Sequence, residues 1–194
     1  MFPLILASTS VTRRRMLADV GIDVQCESPG VDERAMTDVD PARLAMRLAR
    51  AKADAVARRM PNVWVLGADQ VVTDGTSQWG KPNDADDHLR QLQHIRGTSH
   101  RLVSGFAIVG PGIEVEGVEE TIMHGRADLT DAELAAYVAT GEGSYCAGGY
   151  AAEARGAFLF ERIEGDWFNV LGLPLFPIIS ALRAHGWRFG ATNE

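Results

Sequence analysis

The sequence feature that most constrains the fold is the run VWVLGAD at residues 63–69. Everything before its final aspartate is apolar or glycine, with no polar residue in alternation. A strand covered on both faces has this pattern, whereas a strand with one wet face alternates. Such a strand lies inside a sheet with helices packed on it, so the run favours an α/β architecture.

Helix and strand patterns alternate along the rest of the chain without a strict βαβ rhythm. Asp40-Pro41 has the residues of a helix start, Asn83 is a candidate cap, and Thr130 with Glu133 has the spacing of a capping box. We therefore predict a mixed sheet flanked by helices, in one domain over residues 1–194. The predicted elements are strands over 3–7, 22–27, 63–69, 101–109 and 114–126, helices over 10–20, 41–60, 83–97, 130–140 and 174–185, and a hairpin-like segment over 156–172.

Charge and hydropathy exclude two classes of partner. The net charge of −7 argues against a nucleic-acid polymer, which usually requires a basic surface. No apolar run approaches the roughly 20 residues of a membrane span. The segment FPLILA is too short for a signal peptide and lacks a basic flank. We therefore expect a cytoplasmic protein without a membrane partner.

The two cysteines and the histidines do not indicate a metal or disulfide site. Ile22, Val24 and Cys26 alternate with polar residues, so Cys26 is expected to pack as a small apolar residue of a half-buried strand. A disulfide is not expected in the cytoplasm. His88, His94 and His100 lie six residues apart, which neither a helix nor a strand brings together.

The stretch LILASTSVTRRRML combines a predicted strand, a polar turn and a helix start. Backbone N–H groups at a helix start attract anions, and Ser8 and Ser10 add hydroxyl donors. Arg13 and Arg14 lie about 100° apart on the helix, so they could hold different oxygens of a polyphosphate. The alternative is a solvated patch of arginines. The two commonest phosphate-binding loops, the Walker A motif and G-x-G-x-x-G, are absent.

Lysine occurs at only two positions, although the chain has 19 basic residues. Lys52 falls on the apolar stripe of the helix over 41–60, together with Leu44, Leu48 and Val56. A lysine on that stripe either meets a buried anion or extends past the stripe to water. Lys81, in the loop WGKPND, is expected to be exposed.

Carboxylates at the end of the buried strand complete a candidate site. Asp69 is predicted at the polar end of this strand, where open α/β sheets bind ligands. It could bind a divalent cation or act as a general base on water, and Asp32 and Glu33 could complete a cation site. Each carboxylate could instead be an ordinary loop or capping residue. Anion donors, two lysines and carboxylates together suit a metal-bound nucleoside triphosphate.

In this arrangement the sequence resembles the Maf family of nucleotide pyrophosphatases. The motifs LILASTS, PGVDE, RLARAKA, GADQVV, GKP, GTSHRLVSG and CAGGYAAEARG…GLPL occur in family order over almost the whole length. The resemblance implies hydrolysis of the α–β bond of a nucleoside triphosphate to a monophosphate and diphosphate. It also implies a Maf/ITPase-like α/β fold with an elongated mixed sheet, two lobes with a cleft between them, a divalent cation (Mg²⁺ or Mn²⁺) and a homodimer.

The resemblance assigns roles to residues at matching motif positions. Asp69 corresponds to the catalytic proton acceptor and, with Glu33, to the metal-holding carboxylates. The residues corresponding to the phosphate-binding set are Ser8, Ser10, Arg13, Arg14, Lys52 and Lys81. Arg15, which follows, is expected to be ordinary solvated surface.

Three positions bear on the choice of base. Gln70 and Glu153 match the family branch that resembles 7-methyl-GTP pyrophosphatase, whereas the dTTP/UTP branch has Thr and Gln there. A carboxylate can accept both donors of a guanine edge, and a methylated guanine is positively charged. Thr12 matches neither branch, and GDWFNVLGLPL also differs from the methyl-GTP branch. The implied substrate is a 7-methyl-GTP-like purine nucleotide, with dTTP or UTP next.

Two functions remain open at the level of sequence. The first is a pyrophosphatase, which the set of Asp69, Glu33 and Lys81 favours. The second is a nucleotide-binding regulator with little turnover, since the family is also linked to septum formation and cell division.

Overall fold

A computed structural model describes residues 3–190 as an α/β fold with a seven-stranded mixed sheet and flanking helices. The elements are β1 (Leu4–Leu6), α1 (Val11–Asp19), β2 (Gln25–Cys26), α2 (Pro41–Ala57), β3 (Trp64–Thr73), β4 (Gln78–Trp79), α3 (Ala85–Ile95), β5 (Ser99–Gly110), β6 (Ile113–Gly125), α4 (Asp131–Ala139), β7 (Phe160–Glu164), α5 (Trp167–Val170) and α6 (Leu175–Ala184). The strand order is β2-β1-β3-β5-β6-β7, and β4 pairs with β3. β1 is parallel to both β2 and β3, whereas β4 and β7 are antiparallel to their partners. The predicted mixed α/β sheet is confirmed.

The chain divides into two compact units. The first comprises the chain up to Gln70, Ser104–Glu119 and the chain from Gly172, and the second comprises Val71–Val103 and Glu120–Leu171. Three of the four unit boundaries fall within β3, β5 and β6, and the fourth lies between α5 and α6. Two features stay predictions: an elongated sheet, and a cleft between two lobes. In the described part of the chain, no helix combines the length and apolar character that crossing a bilayer requires.

In the first unit, glycines allow α2 to lie unusually close to the sheet. A Cβ atom on Gly67 of β3 would be 2.2 Å from the carbonyl oxygen of Ala49, and one on Gly105 of β5 would be 2.4 Å from the carbonyl carbon of Ala45. Contacts this short cannot form, so only glycine fits at these two positions. The helix backbone therefore rests on the strand backbones, which fixes the height of every side chain on the inner face of α2.

The second unit has its own core, built from β4, α3 and α4 with parts of the long strands. At its centre the Nε2 atom of His100 lies 2.6 Å from the hydroxyl oxygen of Tyr150. Burial lowers the pKa of His100 to about 4, so this histidine is neutral at pH 7. The pair is therefore an uncharged hydrogen bond inside an apolar cluster.

Two of the three predicted helix caps are confirmed. Asp40 caps α2 ahead of Pro41, and Ser10, for which no cap was predicted, caps α1 by accepting the backbone N–H of Arg13. Thr130 and Glu133 form the predicted capping box of α4. The predicted cap at Asn83 is wrong: Asp84 caps α3 by accepting the backbone N–H of Asp87. Asn83 instead donates its backbone and side-chain N–H groups to the Asp87 carboxylate.

Two further predictions are wrong. The segment 156–172 is not a hairpin: after a 3₁₀ turn, β7 pairs with β6, and Asp166 then caps the short helix α5. The strand predicted over 22–27 is limited to Gln25–Cys26, and Cys26 is exposed. The physical reason is that β2 pairs only with the three-residue strand β1. Such a short edge strand cannot bury the alternate residues that its pattern suggested.

Substitution of Gly67 by alanine should destabilise the first unit. The added methyl group would force α2 away from β3, and overpacking of this kind costs about 2 kcal/mol or more. The free energy of unfolding, measured by urea titration, should fall by that amount. Gly80→Ala is the control, because no atom lies within 4 Å of its Cβ position. Equal stability of both variants would contradict the close contact between α2 and β3.

Candidate active site

Asp69 lies in the middle of β3, not at its end as the sequence predicted. The strand continues to Thr73, and Asp69 is buried. The strand that ends here is its neighbour β1, whose last pairing joins Leu6 to Leu66. Asp69 therefore lies beyond the carboxyl end of β1, at a position where the sheet has lost one strand. A strand end therefore does lie next to Asp69, but it belongs to β1 and not to β3.

Lys52 extends from the inner face of α2 to this aspartate. Its ammonium group lies 2.6 Å from Oδ1 of Asp69 and 2.9 Å from Oε1 of Glu33. Only 7% of the Lys52 side chain is exposed. A buried ammonium requires anionic partners, and here it has two. Of the two alternatives left open by the sequence, the structure therefore shows the buried anion.

The close contact between α2 and β3 explains why these side chains meet. Gly67 and Asp69 are two residues apart on β3, so they face the same side of the sheet. Ala49 and Ala53 cover Gly67, and Lys52 lies on the same helix face between them in sequence. The glycine contact thus sets the distance at which the ammonium reaches the carboxylate.

Glu33 stands at the start of a 3₁₀ turn over Glu33–Ala35. Asp32 caps this turn by accepting the backbone N–H of Arg34. Of the two roles that the sequence left open for Asp32, cation ligand or capping residue, this contact is the second. The Glu33 side chain is about half exposed. It therefore reaches Lys52 from the solvent side, while Asp69 reaches Lys52 from the sheet.

The donor set has a limited capacity for a divalent cation. Within residues 3–190, no group of three or more His, Cys, Asp or Glu side chains could hold a metal ion. Mg²⁺ in phosphate sites commonly uses one or two carboxylates and completes its shell with substrate phosphates and water. Asp69 and Glu33 fit that mode, and they do not fit a closed protein cage.

The turn between β1 and α1 supplies hydroxyl groups. The Ser8 hydroxyl oxygen accepts the backbone N–H of Ser10 at 3.1 Å, and the Ser10 hydroxyl oxygen accepts the backbone N–H of Arg13 at 3.3 Å. Both hydroxyl groups act as acceptors in these bonds, so their protons can be donated to an anion. Ser8 is buried, and Ser10 is partly exposed.

A pocket of about 200 Å³ lies next to these groups, all within the first unit. Hydroxyl-bearing residues, the Lys52 ammonium and Glu33 line it. This volume is smaller than the roughly 300 Å³ or more of typical small-molecule sites, so it suits a phosphate group better than a whole nucleotide. The lining residues are Ala7, Ser8, Thr9, Ser28, Pro29, Gly30, Val31, Glu33 and Lys52.

The three adjacent arginines have different surroundings. Arg13 turns inward and donates from Nη1 to the Ala68 carbonyl at 2.7 Å and from Nε to the Gly172 carbonyl at 2.9 Å. Burial lowers the pKa of its guanidinium, and the carboxylates of Asp69 and Glu33 act in the opposite direction. Arg14 is exposed. Arg15 is exposed and 3.5 Å from Asp19, as expected for solvated surface.

The residues predicted to select the base lie in both units. Thr12 is exposed on the first turn of α1, and Gln70 donates from Nε2 to the Ser104 hydroxyl at 3.2 Å. Glu153 is exposed in the second unit, as is Lys81. Burial raises the pKa of Cys146 to about 11; Glu153 adds to this rise, whereas Lys81 opposes it. Lys81 and Glu153 are thus both near Cys146.

Five of the predicted site residues lie around the turn between β1 and α1 and the strand β3: Ser8, Ser10, Glu33, Lys52 and Asp69. Sequence reasoning missed Thr9 and Ser28, which line the pocket, and Ser104, which holds Gln70. Ser104 had a detectable signal, because it is an isolated hydroxyl in the apolar run LVSGFAIVG. Thr9 and Ser28 had none beyond their position next to the quoted motifs.

Comparison with known proteins identifies the family of the chain. Residues 3–185 match the Maf family, which is described as "Maf-like protein". The chain therefore belongs to the Maf family. A relative from Deinococcus radiodurans, named dTTP/UTP pyrophosphatase, is 38% identical over 94% of this chain and 92% of its own length. A relative from Rhizobium johnstonii, named 7-methyl-GTP pyrophosphatase, is also 38% identical, over 94% of this chain and 96% of its own.

The chain is also similar to a third relative and to a solved structure. A relative from Rhodopseudomonas palustris, named nucleoside triphosphate pyrophosphatase, is 38% identical over 93% of both chains. Among solved structures, the Ham1 protein of Staphylococcus aureus is similar at a TM-score of 0.42 and 15% identity, over 66% of this chain and 72% of that chain.

Replacement of Lys52 by methionine should destabilise the protein strongly. It would leave the buried Asp69 carboxylate without its ammonium partner, a change that costs about 3 kcal/mol in comparable buried pairs. Urea unfolding would measure the loss. Arg58→Met, at an exposed position just after α2, is the control and should change stability by less than about 0.5 kcal/mol.

A double-mutant cycle with Asp69→Asn tests whether the two residues are coupled. The loss in the double variant should be smaller than the sum of the single losses by about 1 kcal/mol or more. Additive losses would show that the ammonium and the carboxylate do not stabilise each other.

Proposed function

We propose that this protein is a nucleoside triphosphate pyrophosphatase that releases diphosphate and leaves a nucleoside monophosphate. The observation that carries the proposal is the buried ammonium of Lys52 between Asp69 and Glu33, beside a phosphate-sized pocket. A structural role alone would not require a buried charge next to a polar cavity. Family membership and the pyrophosphatase names of the relatives support the same activity.

In the proposed reaction, water attacks the α-phosphorus of the triphosphate. A bond forms from the water oxygen to phosphorus, the bridging P–O bond breaks, and diphosphate leaves with the bridging oxygen. Asp69 accepts the proton of the water. Because Lys52 is hydrogen-bonded to Oδ1 of Asp69, we assign proton acceptance to Oδ2. Lys52 thereby fixes the orientation of the carboxylate.

Positive groups and hydroxyl donors stabilise the negative charge of the phosphates. Ser8 and Ser10 donate from the turn, and the start of α1 adds backbone dipoles. Arg14 is an exposed cation at the same helix start, and the phosphate-binding role of Lys81, which is exposed in the second unit, stays a prediction. A divalent cation, Mg²⁺ or Mn²⁺, would be held by Asp69, Glu33 and the substrate phosphates. It would supply further neutralisation of charge.

For the base, we propose a 7-methyl-GTP-like purine, with dTTP or UTP as the next candidate. Glu153 can accept two donors from one guanine edge, and its charge favours a methylated, cationic ring. Relatives with each of the two names are 38% identical to this chain, so overall identity does not favour either base. The homodimer and the cytoplasmic location stay predictions.

Asp69→Asn tests the proposed activity. The amide cannot accept the proton, so diphosphate release should fall by at least about a hundredfold. Assays would measure diphosphate and phosphate separately with Mg²⁺ or Mn²⁺. Asp19→Asn, at an exposed acidic position on α1, is the control and should keep full activity. Circular dichroism would verify that both variants fold.

Two results would contradict the proposal: unchanged turnover in Asp69→Asn, or no turnover of any triphosphate by the unmodified protein. Tight nucleotide binding without turnover would favour the regulatory alternative.

Glu153→Gln tests the choice of base. The amide presents a donor where guanine also presents one, so the ratio of kcat/KM for 7-methyl-GTP to that for dTTP should fall roughly tenfold or more. The substrate panel would contain dTTP, UTP, CTP, GTP and 7-methyl-GTP. Glu161→Gln, an exposed acid in the same unit, is the control. An unchanged ratio would remove Glu153 from base selection.

A further inference from the structure

The early end of β1 leaves one side of β3 without a strand partner just beyond Leu66, because β4 pairs with β3 only from Val72 onward. The last hydrogen bond from the β1 segment runs from the Ala7 backbone N–H to the Leu66 carbonyl at 2.8 Å. Carbonyls two residues apart on a strand point to the same side, so the next one along this side belongs to Ala68. Ala68 is fully buried, and a buried carbonyl needs a donor. The residue after Ala68 is Asp69.

Arg13 supplies the missing donor. The chain leaves β1, turns into α1, and returns the Arg13 side chain to the place that a longer β1 would occupy. Its Nη1 donates to the Ala68 carbonyl at 2.7 Å. Its Nε donates to the carbonyl of Gly172, the residue at which the chain re-enters the first unit, at 2.9 Å. One guanidinium thus joins α1, β3 and the segment that leads into α6.

We infer that Arg13 is a positioning residue that completes the edge of the sheet at Ala68 and thereby fixes the backbone that carries Asp69. The inference rests on the proposed function, because it concerns the aspartate to which proton acceptance is assigned. It replaces the phosphate-binding role predicted for Arg13 from the sequence. Two of its three guanidinium nitrogens donate to main-chain carbonyls.

The guanidinium, rather than positive charge as such, is what this role requires. Its planar fork holds several donors at fixed angles, so it can bridge two carbonyls that belong to different segments. A lysine ammonium keeps the charge, but it is a compact point donor on a flexible stem. An arginine that only binds phosphate, in contrast, would keep much of its effect when it is replaced by lysine. Arg13→Lys therefore separates the two roles.

The experiment compares Arg13→Lys with Arg15→Lys, the same change at an exposed position of the same helix. Displacement of Asp69 should lower kcat of Arg13→Lys about tenfold or more, because small errors in position are costly to catalysis. KM should stay within about twofold, since phosphate contacts are intact. Arg15→Lys should retain both constants.

A second measurement does not depend on turnover. Amide hydrogen exchange over residues 64–73 should become at least about tenfold faster in Arg13→Lys than in the unmodified protein or in Arg15→Lys, because the edge of β3 is no longer held. If the unmodified protein cleaves no triphosphate, the proposed function fails, and hydrogen exchange still decides the role of Arg13.

Any of three results would overturn the inference. One is an Arg13→Lys variant with unchanged kcat and a raised KM, which is the behaviour of a phosphate ligand. Another is unchanged hydrogen exchange over residues 64–73. A fall in thermal stability with kcat and KM both preserved would also contradict it, because Arg13 would then support the fold without positioning Asp69.

Discussion

The site depends on one buried ammonium group. Lys52 has been removed from water, and the cost of that removal is offset only because Asp69 and Glu33 both reach its Nζ atom. The same contact holds a carboxylate of the sheet and a carboxylate of a loop in one place. Other features of the first unit serve this contact: α2 carries the lysine, β3 carries the aspartate, and glycines bring the two elements together.

Much of this arrangement could be predicted from local patterns. The phase of α2 placed Lys52 on the apolar stripe, and the capping residues Asp40 and Thr130 marked helix starts correctly. These signals are local, since a cap or a helical stripe is decided within a few residues. The identity of the anions around Lys52 is not local. It depends on segments that are brought together only by the fold.

The failures have the same physical origin. Asp69 was expected at a strand end because polarity rises there, but strand length is set by the neighbours with which it pairs. β3 continues because other strands support it, while β1 stops at Leu6. The adjacent arginines looked equivalent in sequence, yet within the part of the chain that the structure describes only Arg13 of the three donates to main-chain carbonyls. Cys26 alternated like a buried residue, but it is exposed on a short edge strand.

The scarcity of lysine has a practical consequence. The chain contains only two lysines: Lys52 is buried behind its carboxylates, and Lys81 is exposed in a loop of the second unit. Only one side-chain amine is therefore open to an acylating reagent while the protein is folded. A fluorophore attached under mild conditions would be confined largely to Lys81, apart from any reaction at the terminal amine. Appearance of label on Lys52 would then report the opening of the first unit.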